Sequence, residues 1–315
     1  MEKIRIGIST CLLGEAVRYD GGHALDPYIT RTLGRYMEFV PVCPEVEAGF
    51  GVPREPIRLE GDPASPHLMT RNTRKDLTEV MLTWAKRRVR ELEEEDLRGF
   101  IFKSRSPSSG MERVKVYTGK GMPVKKGVGL FARAFMDHFP LIPAEDEGRL
   151  HDPDLRVNFI ERVFTLDRWR KNLKDRKSPG GLVAFHTRHK LLILSHSTQH
   201  YRQMGKLVAQ IKGQNTTELY TKYESLLMEA LRLKATVKKH TDVLQHMMGY
   251  FKKQLTADEK QELLGLIKDY HDGLIPLIVP ITLFKHYVRK YEQPYLRDQI
   301  YLSPHPLELK LRNQA

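Results

Sequence analysis

With 315 residues, the chain is long enough for two domains of ordinary size, and its 40% of hydrophobic residues supports a sizeable core. No apolar run reaches the roughly 18 residues that a transmembrane helix needs, and the N-terminal residues MEKIRIGIST lack the apolar segment of a secretory signal. We therefore expect a cytoplasmic protein without a membrane partner, and its two cysteines argue against a disulfide framework.

Positive charge is concentrated in the second half of the chain. Residues 1–150 contain 24 Lys and Arg against 22 Asp and Glu, whereas the remaining residues contain 28 against 17, a balance of +11. Such asymmetry predicts a polyanionic partner, with nucleic acid ahead of an anionic membrane surface. A basic surface that only keeps the protein in solution is the alternative interpretation.

The first half alternates strand-like and helix-like stretches. The predicted strands are 3–9, 38–43 and 99–103, and the predicted helices are 24–37, 70–97 and 128–138. This alternation is typical of a parallel sheet with right-handed crossovers. We therefore predict, over residues 1–145, an α/β N-terminal domain with a mostly parallel sheet flanked by helices.

Beyond a Pro-, Asp- and Glu-rich stretch at 140–156, the pattern becomes helical. Predicted helices cover 157–171, 183–212, 216–252, 257–271 and 278–292. We predict a linker and boundary helix over 146–182 and an all-α C-terminal domain, basic and RNA-binding, over 183–315.

Three polar loops follow the predicted strands. They are Thr10–Gly14, which contains Cys11; Cys43–Glu45; and the hydroxyl-rich Lys103–Gly110. Ligands of open α/β sheets collect beyond the carboxyl ends of the strands, so two thiols, a carboxylate and several hydroxyls are expected to meet there. This meeting point is the candidate active site.

The residues alone leave the chemistry of the two thiols open. A nucleophilic cysteine needs a base, and no histidine lies in the cysteine loops. A zinc site usually shows a C-x-x-C pair, which is absent, and two thiolates are too few on their own for an iron–sulfur cluster. The cysteines can also be inert core thiols.

Four motifs resemble the TudS-like thiouracil desulfidase family over about residues 1–145. They are Ser9–Gly14 with its continuation to Gly22, Pro41–Glu45, Val52–Arg54 and Lys103–Gly110. The helical half, with Phe185 to His196, is similar to the domain often fused behind it. Together the two parts resemble RudS-type desulfidases, which remove sulfur from 4-thiouridine in tRNA.

The resemblance implies a [4Fe-4S] cluster held by three cysteines, whose fourth iron captures the thiocarbonyl sulfur. Its ligands would be Cys11, Cys43 and position 109. Glu45 would act as general base or acid on the attacking water, with Ser106 as the active-site serine and Lys103 assisting proton transfer. Position 109 is Ser109 in this chain, so we predict that the cluster is absent or labile. Introduced replacement and natural loss of the cysteine are both open.

Further cations and hydroxyls are predicted to bind substrate or RNA. They are Arg18, Arg54, Arg105 and Ser108 in the first half, and Arg168, Arg170, Lys171, Lys190, Arg202, Lys206, Lys285, Arg289 and Lys290 in the second, with Lys212 on the same basic faces and Tyr201, Tyr220, Tyr287 and Tyr291 interleaved among them. The glycine- and lysine-rich turn at 119–129 lacks the P-loop pattern, so no nucleotide triphosphate is expected.

The last motif is a group of four histidines: His186, His189, His196 and His200. Their spacing can bind a metal, but no H-E-x-x-H signature is present, so a structural or RNA-facing role is favoured. The leading hypothesis for the chain is thus a desulfidase of 4-thiouridine in tRNA or as a thionucleotide. A desulfidase of free thiouracil and a cluster-free RNA-binding protein are the alternatives.

Overall fold

The computed structural model of the protein describes residues 2–118, 122–175, 177–211 and 215–313. It divides into two compact units, Met1–Asp152 and Pro153–Ala315. Gly119, Lys120 and Gly121 of the predicted glycine-rich turn, and Lys212 of the basic faces, lie outside the described residues.

The described part of the first unit contains strands in two sheets and three α-helices. The strands are β1 (Ile4–Ser9), β2 (Met37–Val42), β3 (Ile57–Asp62), β4 (Ser65–Thr70), β5 (Phe100–Phe102), β6 (Val114–Tyr117), β7 (Val124–Gly127) and β8 (Ala144–Asp146). The helices are α1 (Pro44–Glu47), α2 (Thr78–Glu91) and α3 (Leu130–His138).

The first sheet is entirely parallel, with the strand order β2-β1-β5-β8. Three of its strands, β1, β2 and β5, are short and mainly apolar, as is usual for a parallel sheet covered on both faces, whereas the edge strand β8 has the sequence AED. Gly7 of β1 leaves room for the Phe100 ring, because a Cβ at this position would lie 2.2 Å from a ring carbon. The strand-end loops of β1, β2 and β5 therefore emerge side by side.

A second sheet, which the sequence analysis did not predict, has the order β4-β3-β6-β7 and is mostly antiparallel. Its strands carry many charges, as in IRLEGD and VKKG, so they give no apolar run. Both sheets and the packed helices α2 and α3 share one core, which includes Leu59, Trp84, Phe100 and Phe131.

Two predicted helices of this unit were wrong in extent. Residues 24–37 form only a π-helical turn, Tyr28–Thr32, and a 3-10 turn, Leu33–Arg35. The helix predicted for 70–97 is confined to Thr78–Glu91, because Thr70 ends β4 and Asp76 still forms a β-bridge with Met69.

The described residues of the second unit form α-helices joined by turns, some of them 3-10. Its helices are α4 (Pro153–Asp175), α5 (Pro179–His196), α6 (Thr198–Ala209), α7 (Thr216–Arg232), α8 (Val237–Met248), α9 (Ala257–His271), α10 (Ile278–Lys290) and α11 (Pro294–Arg297). Trp169 packs against Phe185, Tyr220 and Tyr223, with ring centroids 4.9–5.4 Å apart.

Capping residues divide the two longest predicted helices of this unit. The helix predicted for 183–212 breaks at Ser197, whose extended backbone and hydroxyl cap α6. The helix predicted for 216–252 breaks before Thr236, whose side chain accepts the Lys239 N–H. The predicted fold class, a parallel-sheet α/β region followed by a helical region, is confirmed. No described helix is both long and apolar enough to cross a membrane.

Candidate active site

The first strand-end loop presents Cys11. It is a 3-10 turn, Thr10–Leu13, that begins where β1 ends. The Cys11 carbonyl accepts the N–H groups of Gly14 and Ala24, at 3.3 and 2.9 Å, so the turn is fixed from both sides. Gly14 has a φ of 97°, a left-handed conformation that favours glycine.

The second loop presents Cys43 and Glu45. Cys43 directly precedes α1, and its N–H donates to Glu47 Oε1 at 2.8 Å. Pro44 occupies the first helical position, where its missing N–H costs nothing. This short helix places the Glu45 carboxylate in its first turn.

The third loop, 103–110, is held by the start of α3. The N–H groups of Leu130 and Phe131 donate to the carbonyls of Pro107 and Ser108, at 3.2 and 2.9 Å, so loop carbonyls satisfy the helix's free donors. A Cβ at Gly129 would lie 2.4 Å from the Ser108 carbonyl oxygen, so only glycine permits this approach. The loop is therefore positioned by backbone packing.

The three loops line one pocket of about 540 Å³. Cys11, Cys43, Glu45 and Ser109 all lie on its wall, as the strand-end argument predicts. Ser109 itself is only 3% exposed. Other lining residues of the predicted site are Arg18, Arg54, Lys103, Arg105 and Ser106.

Glu45 is held between three groups. Its Oε1 accepts a hydrogen bond from the Ser108 hydroxyl at 2.5 Å. Its Oε2 lies 3.7 Å from Cys43 Sγ and 3.9 Å from the Arg54 guanidinium. The predicted substrate residue Ser108 is fully buried and does not line the pocket, so it holds Glu45 instead.

Ser106 organises the third loop from within. Its hydroxyl oxygen accepts the N–H groups of Ser108 and Ser109, at 3.3 and 3.1 Å, and lies 2.9 Å from the Ser108 hydroxyl. A chain of hydroxyls thus connects Ser106 on the pocket wall to Glu45. Proton movement along it needs no rearrangement of heavy atoms.

Arg54 joins two loops as well as approaching Glu45. Its NH1 donates to the carbonyls of Val17 and Gly51, at 2.9 and 3.0 Å, and its backbone N–H donates to Tyr19. Arg54 is therefore mainly engaged within the protein. Its role is to close the pocket wall beside the carboxylate.

Arg18 and Arg105 reach the pocket from exposed turns. In the turn that contains Arg18, the Gly21 N–H donates to the Arg18 carbonyl, and the Gly22 N–H donates to Asp20 Oδ1. The Arg18 Nε lies 3.6 Å from the same Asp20 oxygen. It thus lines the pocket while keeping a surface ion pair. Arg105 has a φ of 61° and no hydrogen-bond or ion-pair partner among the residues the structure describes.

Glu147 and Ser9 are functional neighbours that the sequence analysis missed. Glu147 pairs with the Lys103 ammonium and accepts the N–H and hydroxyl of Ser104, at 2.6 and 2.7 Å. Ser9 Oγ accepts the Lys103 N–H at 2.9 Å. Glu147 follows β8, so the strand-end rule would have found it had the three-residue strand AED been predicted.

Burial determines the protonation of both cysteines. It raises the pKa of Cys11 to about 11, with Lys103 opposing the shift, and the pKa of Cys43 to about 12, with Glu45 adding to it. Both are therefore thiols at neutral pH in the protein alone. A bound metal would have to displace these protons.

The donor set does not match a cluster held by three cysteines. The pocket offers the thiols of Cys11 and Cys43, and a hydroxyl at Ser109, which is a poor ligand for iron–sulfur chemistry. Within the described ranges, no group of three or more His, Cys, Asp and Glu side chains is placed to hold a metal ion. The three positions share a pocket, but the residues present do not fit the family cofactor.

Comparisons with known proteins identify both halves of the chain. The family model described as 2-thiouracil desulfurase matches residues 6–147, and the model described as a protein of unknown function, DUF1722, matches residues 190–306. The Escherichia coli K12 protein YbgA, which is uncharacterised, is 34% identical over 155 residues, 49% of this chain and 92% of its own length. The chain belongs to the 2-thiouracil desulfurase family, with a fused DUF1722 region.

Two further relatives match the chain. The uncharacterised Bacillus subtilis 168 protein YbbK is 32% identical over 108 residues, which are 33% of this chain and 71% of YbbK. A solved structure titled [4Fe-4S]-dependent thiouracil desulfidase TudS is 28% identical, covering 49% of this chain and 97% of its own, with a TM-score of 0.42. The family resemblance stated from the motifs is thus confirmed.

The three predicted cations of α4, which precedes the DUF1722 match, all have partners within the second unit. Arg168 donates to Pro304 O, Thr165 Oγ1 and His189 Nε2, at 2.8, 3.0 and 3.2 Å. Arg170 and Lys171 pair with acidic residues, at 3.1 and 2.9 Å. The Arg168 side chain is therefore committed to contacts inside the helical fold, whereas Arg170 and Lys171 keep ion pairs at its surface.

The remaining predicted cations differ in how they are used. Lys190 lies 4.7 Å from the centre of the Tyr295 ring, and Lys290 pairs with Glu259 at 2.6 Å. Four other side chains have no hydrogen-bond or ion-pair partner among the described residues: those of Arg202, Lys206, Lys285 and Arg289. Of the four predicted stacking tyrosines, Tyr220 and Tyr287 are buried in the core.

The four histidines do not form a common site. His186 faces the Tyr223 hydroxyl, and burial lowers its pKa to about 4. His189 contacts the Phe185 carbonyl, and His196 contacts both Leu233 O and Glu161. His200 pairs with Ser197 and is 3.7 Å from Glu229. Each ring therefore has its own partner within the helical unit.

Proposed function

We propose that the first unit removes sulfur from thiolated uracil, with 4-thiouridine in tRNA as the substrate, and that catalysis requires a cysteine at position 109. The supporting observation is the convergence of Cys11, Cys43, Glu45 and position 109 on one pocket at the strand ends. In the proposed reaction, oxygen from water replaces the sulfur on C4 of the ring, and sulfur leaves as hydrogen sulfide.

The size and lining of the pocket suit a single nucleotide. A volume of about 540 Å³ lies within the range of small-molecule sites. Its lining includes two thiols, a carboxylate, and the guanidinium groups of Arg18 and Arg105, which match phosphate geometry. The base would face the thiols, and the phosphate would contact these arginines.

Glu45 is the proposed base for the attacking water. Its Oε1 is occupied by the Ser108 hydroxyl, so Oε2, beside Cys43, is the oxygen left to take a proton. The side chain is 13% exposed, enough to meet a water in the pocket. Ser106 and Lys103 would orient the ring or return the proton to it.

Ser109 determines whether we expect this chain to bind the cofactor and to be active. With only two thiols in the pocket, we expect it to hold the family's [4Fe-4S] cofactor weakly or not at all, and to be inactive. The cluster-free RNA-binding alternative is favoured by this serine and by the +11 balance of the second half. Loss of catalysis would leave the basic region as the active part of the protein.

The deciding experiment compares Ser109→Cys with the parent and with Ser104→Cys, after treatment with iron and sulfide without oxygen. Ser104 lines the same pocket, so it is a matched control for adding one thiol. We expect the broad brown absorbance of a cluster only in Ser109→Cys. Equal absorbance in the parent or in Ser104→Cys would contradict the assignment of position 109.

Activity is then followed by the loss of thiocarbonyl absorbance. The three substrates are bulk tRNA that contains 4-thiouridine, the 4-thiouridine mononucleotide, and free thiouracil. Turnover of tRNA that disappears on adding Glu45→Gln supports both the substrate and the base. Turnover of free thiouracil alone would instead select the first alternative. Unchanged turnover in the Glu45→Gln form would remove Glu45 from the mechanism.

A further inference from the structure

Glu147 is an acidic residue behind the pocket that the proposed reaction does not use. It directly follows β8, the strand that pairs in parallel with β5. Its N–H donates to the Phe102 carbonyl at 3.2 Å, so its backbone is tied to the end of β5, where the third pocket loop begins. Its side chain is 13% exposed, and it does not line the pocket. Any effect of Glu147 on a ligand must therefore pass through a neighbouring residue.

Both carboxylate oxygens of Glu147 hold the start of the third loop. Oε1 pairs with the Lys103 ammonium and accepts the Ser104 hydroxyl at 2.7 Å, and Oε2 accepts the Ser104 N–H at 2.6 Å. The Lys103 N–H donates to Ser9 Oγ at 2.9 Å, so the backbone of this lysine is fixed as well. Lys103, Ser104 and Ser9 all line the pocket, so these contacts place a fixed ammonium on its wall.

The two acidic residues that precede Glu147 are used differently. Glu145 Oε1 accepts a hydrogen bond from Arg149 Nε at 2.5 Å, and Asp146 Oδ1 accepts the Arg149 N–H at 2.9 Å. Neither residue lines the pocket. Of these three consecutive acids, only Glu147 is therefore joined to a side chain of the pocket.

The Lys103 ammonium can still donate to a ligand. An ammonium carries several N–H donors and accepts no hydrogen bond. One donor is committed to Glu147, whereas the contacts with the Ser104 hydroxyl and carbonyl are long, at 3.2 and 3.4 Å. An acceptor atom of a bound molecule can replace the weaker of these contacts without breaking the ion pair. A carbonyl oxygen of a pyrimidine ring is such an acceptor.

We propose that Glu147 is a positioning residue, which fixes the Lys103 ammonium so that it donates to a carbonyl oxygen of a pyrimidine nucleoside bound in the pocket. The stem of a lysine is long and flexible, and a side chain that is already ordered loses less entropy when a ligand binds. The ion pair supplies this order before the ligand arrives. The inference rests on the proposed function, which places a uracil ring in the pocket. Lys103 then orients the ring rather than transferring a proton.

The test measures the binding of uridine to the full chain by NMR titration. Uridine carries no charge, so the net charge of a variant does not by itself change the affinity. Lys103→Gln should weaken binding by about 10-fold, because a hydrogen bond from a charged donor is lost. Glu147→Gln should weaken it by about 3- to 10-fold, because the ammonium is no longer held in place. The matched control, Glu145→Gln, removes the same charge from the acid that pairs with Arg149, and should change binding by less than about twofold.

The double variant Lys103→Gln/Glu147→Gln shows whether Glu147 acts through Lys103. If it does, the double variant binds uridine as Lys103→Gln does, within about twofold. Effects that multiply would overturn the positioning role, and so would unchanged binding by Glu147→Gln. The side-chain nitrogen resonance of Lys103 should also shift when uridine is added to the parent, and this shift should shrink in Glu147→Gln. A merely structural role for Glu147 predicts equal shifts.

The outcomes separate this inference from the function beneath it. A parent that does not bind uridine overturns the inference, whatever turnover Ser109→Cys shows. If uridine binds in a Glu147-dependent way but Ser109→Cys removes no sulfur, the proposed reaction fails while the nucleoside site stands. Circular dichroism and thermal unfolding of each variant show whether the fold is kept. Should Glu147→Gln not fold, Glu147→Asp takes its place, because it keeps the charge on a side chain too short to hold the ammonium in the same position.

Discussion

Glu45 and Glu161 show how differently the two units use a carboxylate. Glu45 is 13% exposed, accepts one hydroxyl, and has its nearest cation at 3.9 Å. Glu161 is 1% exposed and contacts His196 at 3.1 Å and Arg312 at 3.2 Å. The first keeps an oxygen directed to a pocket, whereas the second is neutralised inside a helical core.

The two carboxylates differ because one lies in a strand-end loop and the other on the inner face of a helix. Loops beyond parallel strand ends are fixed at their backbones, so their side chains remain free to face a pocket. A polar residue on the inner face of a helix has no solvent and must find a partner inside. Arg168, His186 and His196 all do this, although their residue types and spacing are those of a binding site.

The strongest way to test this contrast is Glu161→Gln. The change leaves the buried Arg312 without its counter-charge, so we expect a loss of about 3–5 kcal/mol in the free energy of unfolding. Urea unfolding at neutral pH measures it. The exposed Glu218→Gln at the start of α7 is the control, with an expected loss below about 1 kcal/mol. A small loss for Glu161→Gln would show that the buried pair is dispensable.

The same glutamate predicts an acid dependence. Burial opposes its ionisation, but the His196 hydrogen bond and the Arg312 charge outweigh this and hold the pKa of Glu161 well below its ordinary value of 4.5. A carboxyl with a lowered pKa in the folded state adds stability above pH 4.5 and loses it as the pH falls further. The parent should therefore lose stability below that pH more steeply than Glu161→Gln, and parallel curves would contradict this cause.

Gly129→Ala tests whether backbone packing positions the pocket loop. The added methyl group would meet the Ser108 carbonyl at 2.4 Å, so we expect a loss of about 1–3 kcal/mol in the free energy of unfolding. Gly205→Ala in α6 is matched, because nothing lies within 4 Å of its added Cβ. That control should be neutral or stabilising by up to about 1 kcal/mol. Similar effects of the two changes on thermal unfolding would rule out a special fit at Gly129.

The sequence predicted the parts of the molecule that depend on local pattern. The apolar strands β1, β2 and β5 gave the parallel sheet, and strand-end placement gave the pocket with Cys11 and Glu45. The second sheet was missed because its strands are short and charged, so their pairing is decided by distant neighbours. Helix ends were misplaced where a single residue, such as the capping Ser197, decided them.

Partners that are remote in sequence could not be predicted. Glu147 reaches Lys103 across 44 positions, and Arg312 reaches Glu161 across 151. No spacing rule links such residues, because the fold alone brings them together. For the same reason, the sequence predicted Arg168 and Lys285 alike as RNA contacts. The structure gives the Arg168 side chain acceptors inside the fold, and it gives the Lys285 side chain none among the described residues.

Ser108→Ala is expected to have the smallest effect, because it removes a single hydroxyl group that lies behind the pocket wall. The Ser108 hydroxyl donates to Glu45 at 2.5 Å from a fully buried position, so its loss leaves Oε1 without its donor. We expect a loss of about 1–2 kcal/mol in the free energy of unfolding. Ser225→Ala, which removes an exposed helix hydroxyl bonded to Thr221 O, should lose less than about 0.5 kcal/mol. If Ser108→Ala is equally mild, the carboxylate does not depend on this bond, and the pocket is less rigid than the hydroxyl chain from Ser106 implies.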